Sequence, residues 1–215
     1  MSFTVVWLVA VLGLVLLTAW AGRLVRFEDS PKSFFGALLD ARQRFSLNRL
    51  QILMWTILVL STMLAILVTN FETAPGSSLA IPQQLLALMG ISAGSATLAG
   101  AVKDGKNATR PQKIVGGEAF RARIAANLGK PVEDMMSPQT PSFSQVLLEE
   151  EGADGNERVI SVTKFQNLII SAVVALIYIV LTLEAKGYPT LDNNFLWLVG
   201  ISHAGYIGGK LPNKE

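Results

Sequence analysis

Five apolar runs without Asp, Glu, Lys or Arg alternate with polar and charged segments along the chain. The runs cover residues 3–22, 50–71, 82–102, 165–183 and 193–209. An α-helix needs roughly 20 apolar residues to cross the hydrocarbon of a bilayer, and the first four runs approach or meet that length. The last run is the shortest, so it either begins a few residues earlier or is partly buried in protein. The pattern predicts an all-α integral membrane protein with five transmembrane helices.

The composition agrees with a membrane protein and excludes several classes of function. Only 16% of the residues are charged, whereas soluble domains carry about 25%. The chain has no Cys and a single His, which excludes thiolate and His-based metal sites and argues against a Ser-His-Asp triad. The net charge of +2 does not indicate a nucleic-acid-binding surface. We therefore expect no catalytic site, no metal, no cofactor and no nucleic-acid partner.

The basic residues lie in alternate loops. Residues 23–49 and 103–164 are rich in Lys and Arg, residues 72–81 contain none, and residues 184–192 contain only Lys186. Cytoplasmic loops carry an excess of basic residues, so this alternation predicts that the N-terminus is outside and the C-terminus inside. No basic residue precedes the first apolar run, which therefore reads as a permanent helix rather than a signal peptide.

Short sequence matches recur in the same order in the two halves of the chain. Each half has a segment that begins with Ser-Phe and ends with two leucines and an acidic residue. A Gln two positions after a basic residue follows, and then Gly-Ile-Ser. The pairs are SFFGALLD (33–40) with SFSQVLLE (142–149), NRLQ (48–51) with TKFQ (163–166), and GIS (90–92) with GIS (200–202). Because each unit crosses the membrane twice, the two copies have the same orientation. The sequence predicts one peripheral helix plus two parallel-repeat helical hairpins.

This reading divides the chain into six segments. They are an N-terminal transmembrane helix (1–22), a cytoplasmic linker with an amphipathic segment (23–49), a first hairpin (50–102), a cytoplasmic loop (103–164), a second hairpin (165–209) and a cytoplasmic tail (210–215).

Small residues mark the second helix of each predicted hairpin. Helices in a bilayer associate through close contacts that small residues permit, so these residues are predicted to pack helices together or, alternatively, to line a pore. They are Gly90, Ser92, Gly94, Gly200, Ser202, Ala204 and Gly208.

A second set of candidates consists of polar or aromatic residues at membrane depth. Gln51, Trp55, Thr62 and Thr69 share one face of the second predicted helix, and the matching line on the fourth begins at Gln166. These residues either bond across to the partner hairpin or line a pore. His203 is the one titratable residue in a span; it either bonds a neighbouring helix or the headgroup layer, or acts as a pH-sensitive gate. The lack of charged residues in the spans argues against secondary active transport.

The loop 103–164 has a basic first half and an acidic second half. Within it, Phe120 and Ile124 are four residues apart, with Arg121 and Arg123 beside them. This spacing suits a helix on an anionic membrane surface or against a partner protein; a solvated loop that packs on itself is the alternative.

Four stretches resemble a family of uncharacterised bacterial polytopic membrane proteins with a duplicated two-helix hairpin that ends in Gly-Ile-Ser. They are SLNRLQILMW (46–55), LLALMGISAGS (85–95), an acidic Gly-containing stretch before KFQ (164–166), and LVGISHAGYIGGK (198–210). The resemblance implies the doubled hairpin and a multi-pass protein of the bacterial cytoplasmic (inner) membrane, but it implies no activity. The apolar run 165–183 has no Trp after Gln166, so the second hairpin is expected to pack differently from the first.

The sequence favours a non-enzymatic membrane protein that self-associates. We expect a homo-oligomeric pore or channel that is gated or regulated through its cytoplasmic loop. The alternative is a membrane anchor or scaffold subunit that docks a cytoplasmic or membrane partner protein through residues 103–164.

Overall fold

The structure is a computed structural model that describes residues 2–24, 35–39, 45–70, 80–109, 142–148 and 160–209. It contains five α-helices. They are α1 (Phe3–Leu24), α2 (Leu47–Thr69), α3 (Gln83–Thr109), α4 (Val162–Ala185) and α5 (Asn193–Gly208). Within the described residues there is no β-strand, only two isolated bridges. The all-α prediction is confirmed for this part of the chain.

Four of these helices are long and apolar enough to cross a membrane: α1, α2, α4 and the Gln83–Val102 part of α3. The fifth predicted span is shorter. Helix α5 has 16 residues, which corresponds to about 24 Å, less than the roughly 30 Å of bilayer hydrocarbon. It does not begin earlier, because the Asp192 side chain caps it by accepting a hydrogen bond from the Asn194 backbone nitrogen at 2.7 Å.

Helix α1 packs along α2 in the opposite direction. Near the start of α1, Trp7 Nε1 donates to Thr62 Oγ1 in the second half of α2, at 3.1 Å. At the other end of α1, the backbone of Gly36, just before α2, lies against the carbonyl of Gly22, and a Cβ atom on Gly36 would overlap it. Only one side of α1 is buried, since Val9, Leu12 and most of its other large apolar residues are exposed.

The other four helices form a bundle in which α2 contacts α3 and α4, while α5 contacts the same two helices. Gln51 bonds Asn167 near the starts of α2 and α4, and Thr62 bonds Tyr178 further along both helices. Since these two contacts occur in the same order, α2 and α4 run in the same direction. The start of α1 therefore lies at the opposite end of the bundle from the start of α4.

A similar short segment precedes α2 and α4. Each has a 3₁₀ turn, Gly36–Leu38 or Phe143–Val146, followed by an isolated antiparallel bridge. The bridges join Leu39 to Phe45 and Leu148 to Ile160. In both segments the chain closes on itself just before the next helix, through bonds from Ser46 N to Leu38 O and from Ser161 N to Leu147 O.

Apolar side chains cover much of the outside of the bundle. Trp20, Trp197 and Val162 are 59%, 70% and 75% exposed, which suits a lipid environment rather than water. On α4, Lys164 and Glu184 enclose a stretch without charge, and 20 helical residues span about 30 Å. The described charges on this helix thus lie one hydrocarbon thickness apart, as expected for a multi-pass membrane protein.

Two apolar clusters fill the core. The large cluster contains Trp7, Trp55, Leu58, Val59, Leu85, Leu88, Val174, Ala175, Tyr178 and Val199 among its buried members. The small cluster, at the end where α2 and α4 begin, contains Leu47, Ala99, Val146 and Tyr206. The two clusters do not merge, because buried polar residues separate them.

Candidate functional site

We call these buried polar residues the polar layer. Each of the four bundle helices contributes two of them, and all eight are at most 6% exposed. On α2, α3 and α5 they lie between residues of the two apolar clusters, and on α4 they lie just before Val174 of the large cluster. The members are Asn48 and Gln51 of α2, Ser92 and Ser95 of α3, Asn167 and Ser171 of α4, and Ser202 and His203 of α5.

Hydrogen bonds within the layer join three helices. Gln51 Nε2 donates to Ser171 Oγ at 2.7 Å and to Asn167 Oδ1 at 3.1 Å. Ser202 Oγ donates to the same Asn167 oxygen at 3.3 Å. Asn167 is therefore the point at which α2, α4 and α5 meet, and it ties the first hairpin to both helices of the second.

Many polar atoms of the layer are buried without a protein partner. They are Asn48 Oδ1, Gln51 Oε1, Ser92 Oγ, Ser95 Oγ, Asn167 Nδ2 and both ring nitrogens of His203. A buried polar group that makes no hydrogen bond costs about 1–3 kcal/mol, and an apolar membrane offers no substitute partner. A layer with this many free donors and acceptors is chemically suited to hold water or another small polar molecule.

A second polar contact lies within the large apolar cluster, around Thr62. The Thr62 hydroxyl accepts from Trp7 Nε1 at 3.1 Å and from the Tyr178 hydroxyl at 2.9 Å, and it donates to the Leu58 carbonyl at 2.9 Å. Tyr178 also meets the ring of Trp55 edge-on, with centroids 6.0 Å apart. Thr62 thus links α1, α2 and α4. Because its hydroxyl is fully hydrogen-bonded within the protein, we assign Thr62 to helix packing.

The polar layer contains no Asp, Glu, Lys or Arg. The nearest basic residue along α4 is Lys164, one turn before Asn167, and its Nζ donates to the Leu148 carbonyl at 2.7 Å. That bond holds the segment before α4 against the helix. Among the residues that the structure describes, no group of His, Asp and Glu is placed to hold a metal ion.

The structure separates the predicted small residues into two groups. Ser92 and Ser202 lie in the polar layer, whereas Gly90, Gly94, Ala204 and Gly208 are exposed. Gly200 is half-buried, with Ile91 3.9 Å from the position of a Cβ atom. Inside the chain the two serines are therefore buried, while most of the glycines lie on the outer surface of the bundle.

The predicted polar face of α2 is largely buried. Gln51, Trp55 and Thr62 face the interior, whereas Thr69 is half-buried and bonds the Ala65 carbonyl of its own helix at 2.8 Å. His203 is buried in the layer.

On α4 the inward face differs by one residue from the predicted line. Gln166 is exposed, and its neighbour Asn167 bonds Gln51 instead. The repeat aligns Gln166 with Gln51, and the predicted line on α4 rested on that alignment. The available signal was the helical spacing of Asn167, Ser171, Tyr178 and Thr182, which fall within about 60° of one another at 100° per residue. All four are buried.

The predictions for the long loop lie outside the described residues. These include the proposed lipid- or partner-binding residues Phe120, Arg121, Arg123 and Ile124, together with the tail 210–215. Docking of a partner through residues 103–164 stays a prediction.

Comparison with protein-family models, with curated proteins and with solved structures finds no match to this chain.

Proposed function

We propose that this protein is a homo-oligomeric membrane channel in which each protomer contains a polar pathway between its two hairpins. The observation that carries the proposal is the polar layer, in which four helices place free hydrogen-bonding groups inside an otherwise apolar bundle. Neutral polar side chains between membrane helices form hydrogen bonds across them or, where they face a water-filled cavity, line a pathway for solutes or ions. Helix packing alone would not require so many side-chain atoms without hydrogen-bond partners at one depth of the bundle.

The proposed topology puts this layer in the cytoplasmic half of the membrane. The basic loops 23–49 and 103–164 favour a cytoplasmic location for the starts of α2 and α4. Gln51 lies just over one turn into α2, so the layer is close to that side. We infer that it forms a polar vestibule that opens toward the cytoplasm.

The proposed repeat is supported by the contact pattern. Among the four bundle helices, an exchange of α2 with α4 and of α3 with α5 leaves the set of contacting pairs unchanged. The same exchange relates Ser92 to Ser202, both buried in the layer, and relates the two bridged segments before α2 and α4. A pathway between the two copies would be lined by both of them.

The large apolar cluster closes the proposed pathway on the outer side. Leu88, Val174 and Val199 are each 0% exposed and come from three different helices. A dry apolar constriction blocks polar solutes because they would lose their hydration within it. In this proposal the structure is the closed state of a channel that also opens, so the wild-type protein conducts part of the time.

The long loop is suited to regulate this constriction. It connects α3 to α4, so it links the two hairpins, and the bond from Lys164 to Leu148 fastens its last part to α4. We propose that a displacement of the loop changes the position of α4 relative to α2 and thereby opens the barrier.

The experiment compares two neighbouring valines on α4 in reconstituted vesicles. Val174→Ser places a hydroxyl in the barrier, whereas Val173→Ser changes a residue that is 49% exposed on the outer surface. Osmotic swelling is expected to be faster with wild-type protein than in protein-free vesicles and fastest with Val174→Ser, while Val173→Ser matches wild type. Ala175→Ser, a smaller change in the same cluster, repeats the test if Val174→Ser unfolds. Vesicles that remain as tight as protein-free ones with all variants would refute the channel and favour the anchor alternative.

A further inference from the structure

We infer that the solute admitted by the polar layer is small and uncharged and both donates and accepts hydrogen bonds, as urea, simple amides and small polyols do. This inference rests on the proposed channel function and names the class of substrate for it. Two properties of the layer support this inference. Its free groups include both hydrogen-bond donors and acceptors, and it contains no carboxylate to balance the charge of a bound cation.

The free groups of the layer form a mixed set. Asn48 Oδ1 and Gln51 Oε1 are acceptors, Asn167 Nδ2 is a donor, the Ser92 and Ser95 hydroxyls can act as either, and the two ring nitrogens of His203 supply one donor and one acceptor. The Gln51 amide is oriented by its bonds to Ser171 and Asn167, which use its nitrogen and leave its oxygen free. A solute with only donors or only acceptors would satisfy half of these groups, whereas an amide or polyol satisfies both kinds.

The layer offers little to an ion. A desolvated ion needs an opposite charge or a full shell of ligands of one polarity, and the layer contains no carboxylate. A cation would meet the Asn167 amide nitrogen and the nearby ammonium of Lys164, which is held at Leu148. An anion would meet the carbonyl oxygens of Asn48 and Gln51.

Ser95 provides the sharpest test because its hydroxyl has no partner in the protein. Ser95→Ala therefore removes a group that faces the solute without breaking a bond within the chain. Its control on the same helix is Thr97→Val, since Thr97 is exposed and bonds only the Ala93 carbonyl of its own helix. Each variant is made in the wild-type and Val174→Ser proteins and reconstituted in vesicles of phosphatidylethanolamine and phosphatidylglycerol.

The measurements are the fluxes of urea, glycerol, K⁺ and Cl⁻, together with the melting temperature of each variant. We expect urea and glycerol to cross faster than in protein-free vesicles, while K⁺ and Cl⁻ do not. Loss of one hydrogen bond to the passing solute should lower the urea flux about 2- to 10-fold in Ser95→Ala, with the melting temperature maintained and Thr97→Val unchanged.

The possible failures are distinguishable. K⁺ or Cl⁻ fluxes that rise with the urea flux would overturn the uncharged class of solute but leave the channel proposal standing. Equal urea fluxes in Ser95→Ala and Thr97→Val would overturn the role of the layer in solute contact. If no solute crosses faster than in protein-free vesicles, even with Val174→Ser, both the inference and the proposed function are refuted.

Discussion

The side-chain nitrogen of Gln51 lies 3.1 Å from Asn167 Oδ1 and joins the first helical hairpin to the second. The two residues come from α2 and α4, which begin at the same end of the bundle, and both are almost fully buried. Because the two residues are 116 positions apart in sequence, this contact belongs to the tertiary structure alone. It fixes the register of the two hairpins at the level where polar groups are concentrated.

Replacement of Gln51 by Leu is expected to destabilise the protein. It removes the bonds to Asn167 and Ser171, at roughly 0.6 to 2 kcal/mol for each hydrogen bond between membrane helices. The matched control is Gln166→Leu, because Gln166 is exposed on the outer surface of α4. Thermal unfolding in detergent should show a lower melting temperature for Gln51→Leu and an unchanged melting temperature for Gln166→Leu. Equal effects of the two substitutions would contradict the inward face assigned to α4.

Replacement of Thr62 by Val tests how α1 is held on the bundle. Val keeps the shape of the side chain but leaves the Trp7 indole and the Tyr178 hydroxyl without their acceptor. Each buried donor left without a partner costs about 1–3 kcal/mol, so the melting temperature should fall clearly. Thr69→Val is the control, since Thr69 bonds only carbonyls of its own helix. If the melting temperature of Thr69→Val falls as much as that of Thr62→Val, the link between α1, α2 and α4 is not what stabilises this region.

The residues of the site were predictable to different degrees, and the difference has a physical cause. Gln51 and Thr62 are polar positions in an apolar helix, and burial of a polar group away from lipid is favoured whatever the partner. Their partners depend on helix rotation and register, which periodicity does not determine. The repeat pointed to Gln166, but the structure turns Asn167 inward. Trp7 could not be paired from sequence, because α1 lies outside the repeat and only one of its own sides is buried.

The membrane orientation can be tested directly because the chain has no Cys. A single introduced Cys then reports its own side of the membrane to an impermeant thiol reagent. Ser2→Cys and Lys186→Cys are expected to react in intact cells, and Ile160→Cys only after permeabilisation. The three residues are exposed at helix ends, and the antiparallel packing of α1 on α2 places Ser2 and Ile160 at opposite ends of the bundle. Labelling of Ser2→Cys and Ile160→Cys from the same side would exclude the proposed topology.

Self-association is expected to use the glycines that point out of the bundle. Gly90 and Gly94 are one turn apart on the surface of α3, and no other atom lies within 4 Å of a Cβ atom built on either residue. Within one chain, a large side chain therefore fits at Gly90. It would, however, hold a second helix away from the close contact that small residues allow between membrane helices. Gly90→Leu should thus keep the melting temperature of the protomer but lower the fraction of oligomer, measured by native mass spectrometry from lipid.

The control is Gly13→Leu, at an equally open position on α1. A Gly90→Leu protein with the wild-type oligomer distribution would show that this face of α3 is not the interface.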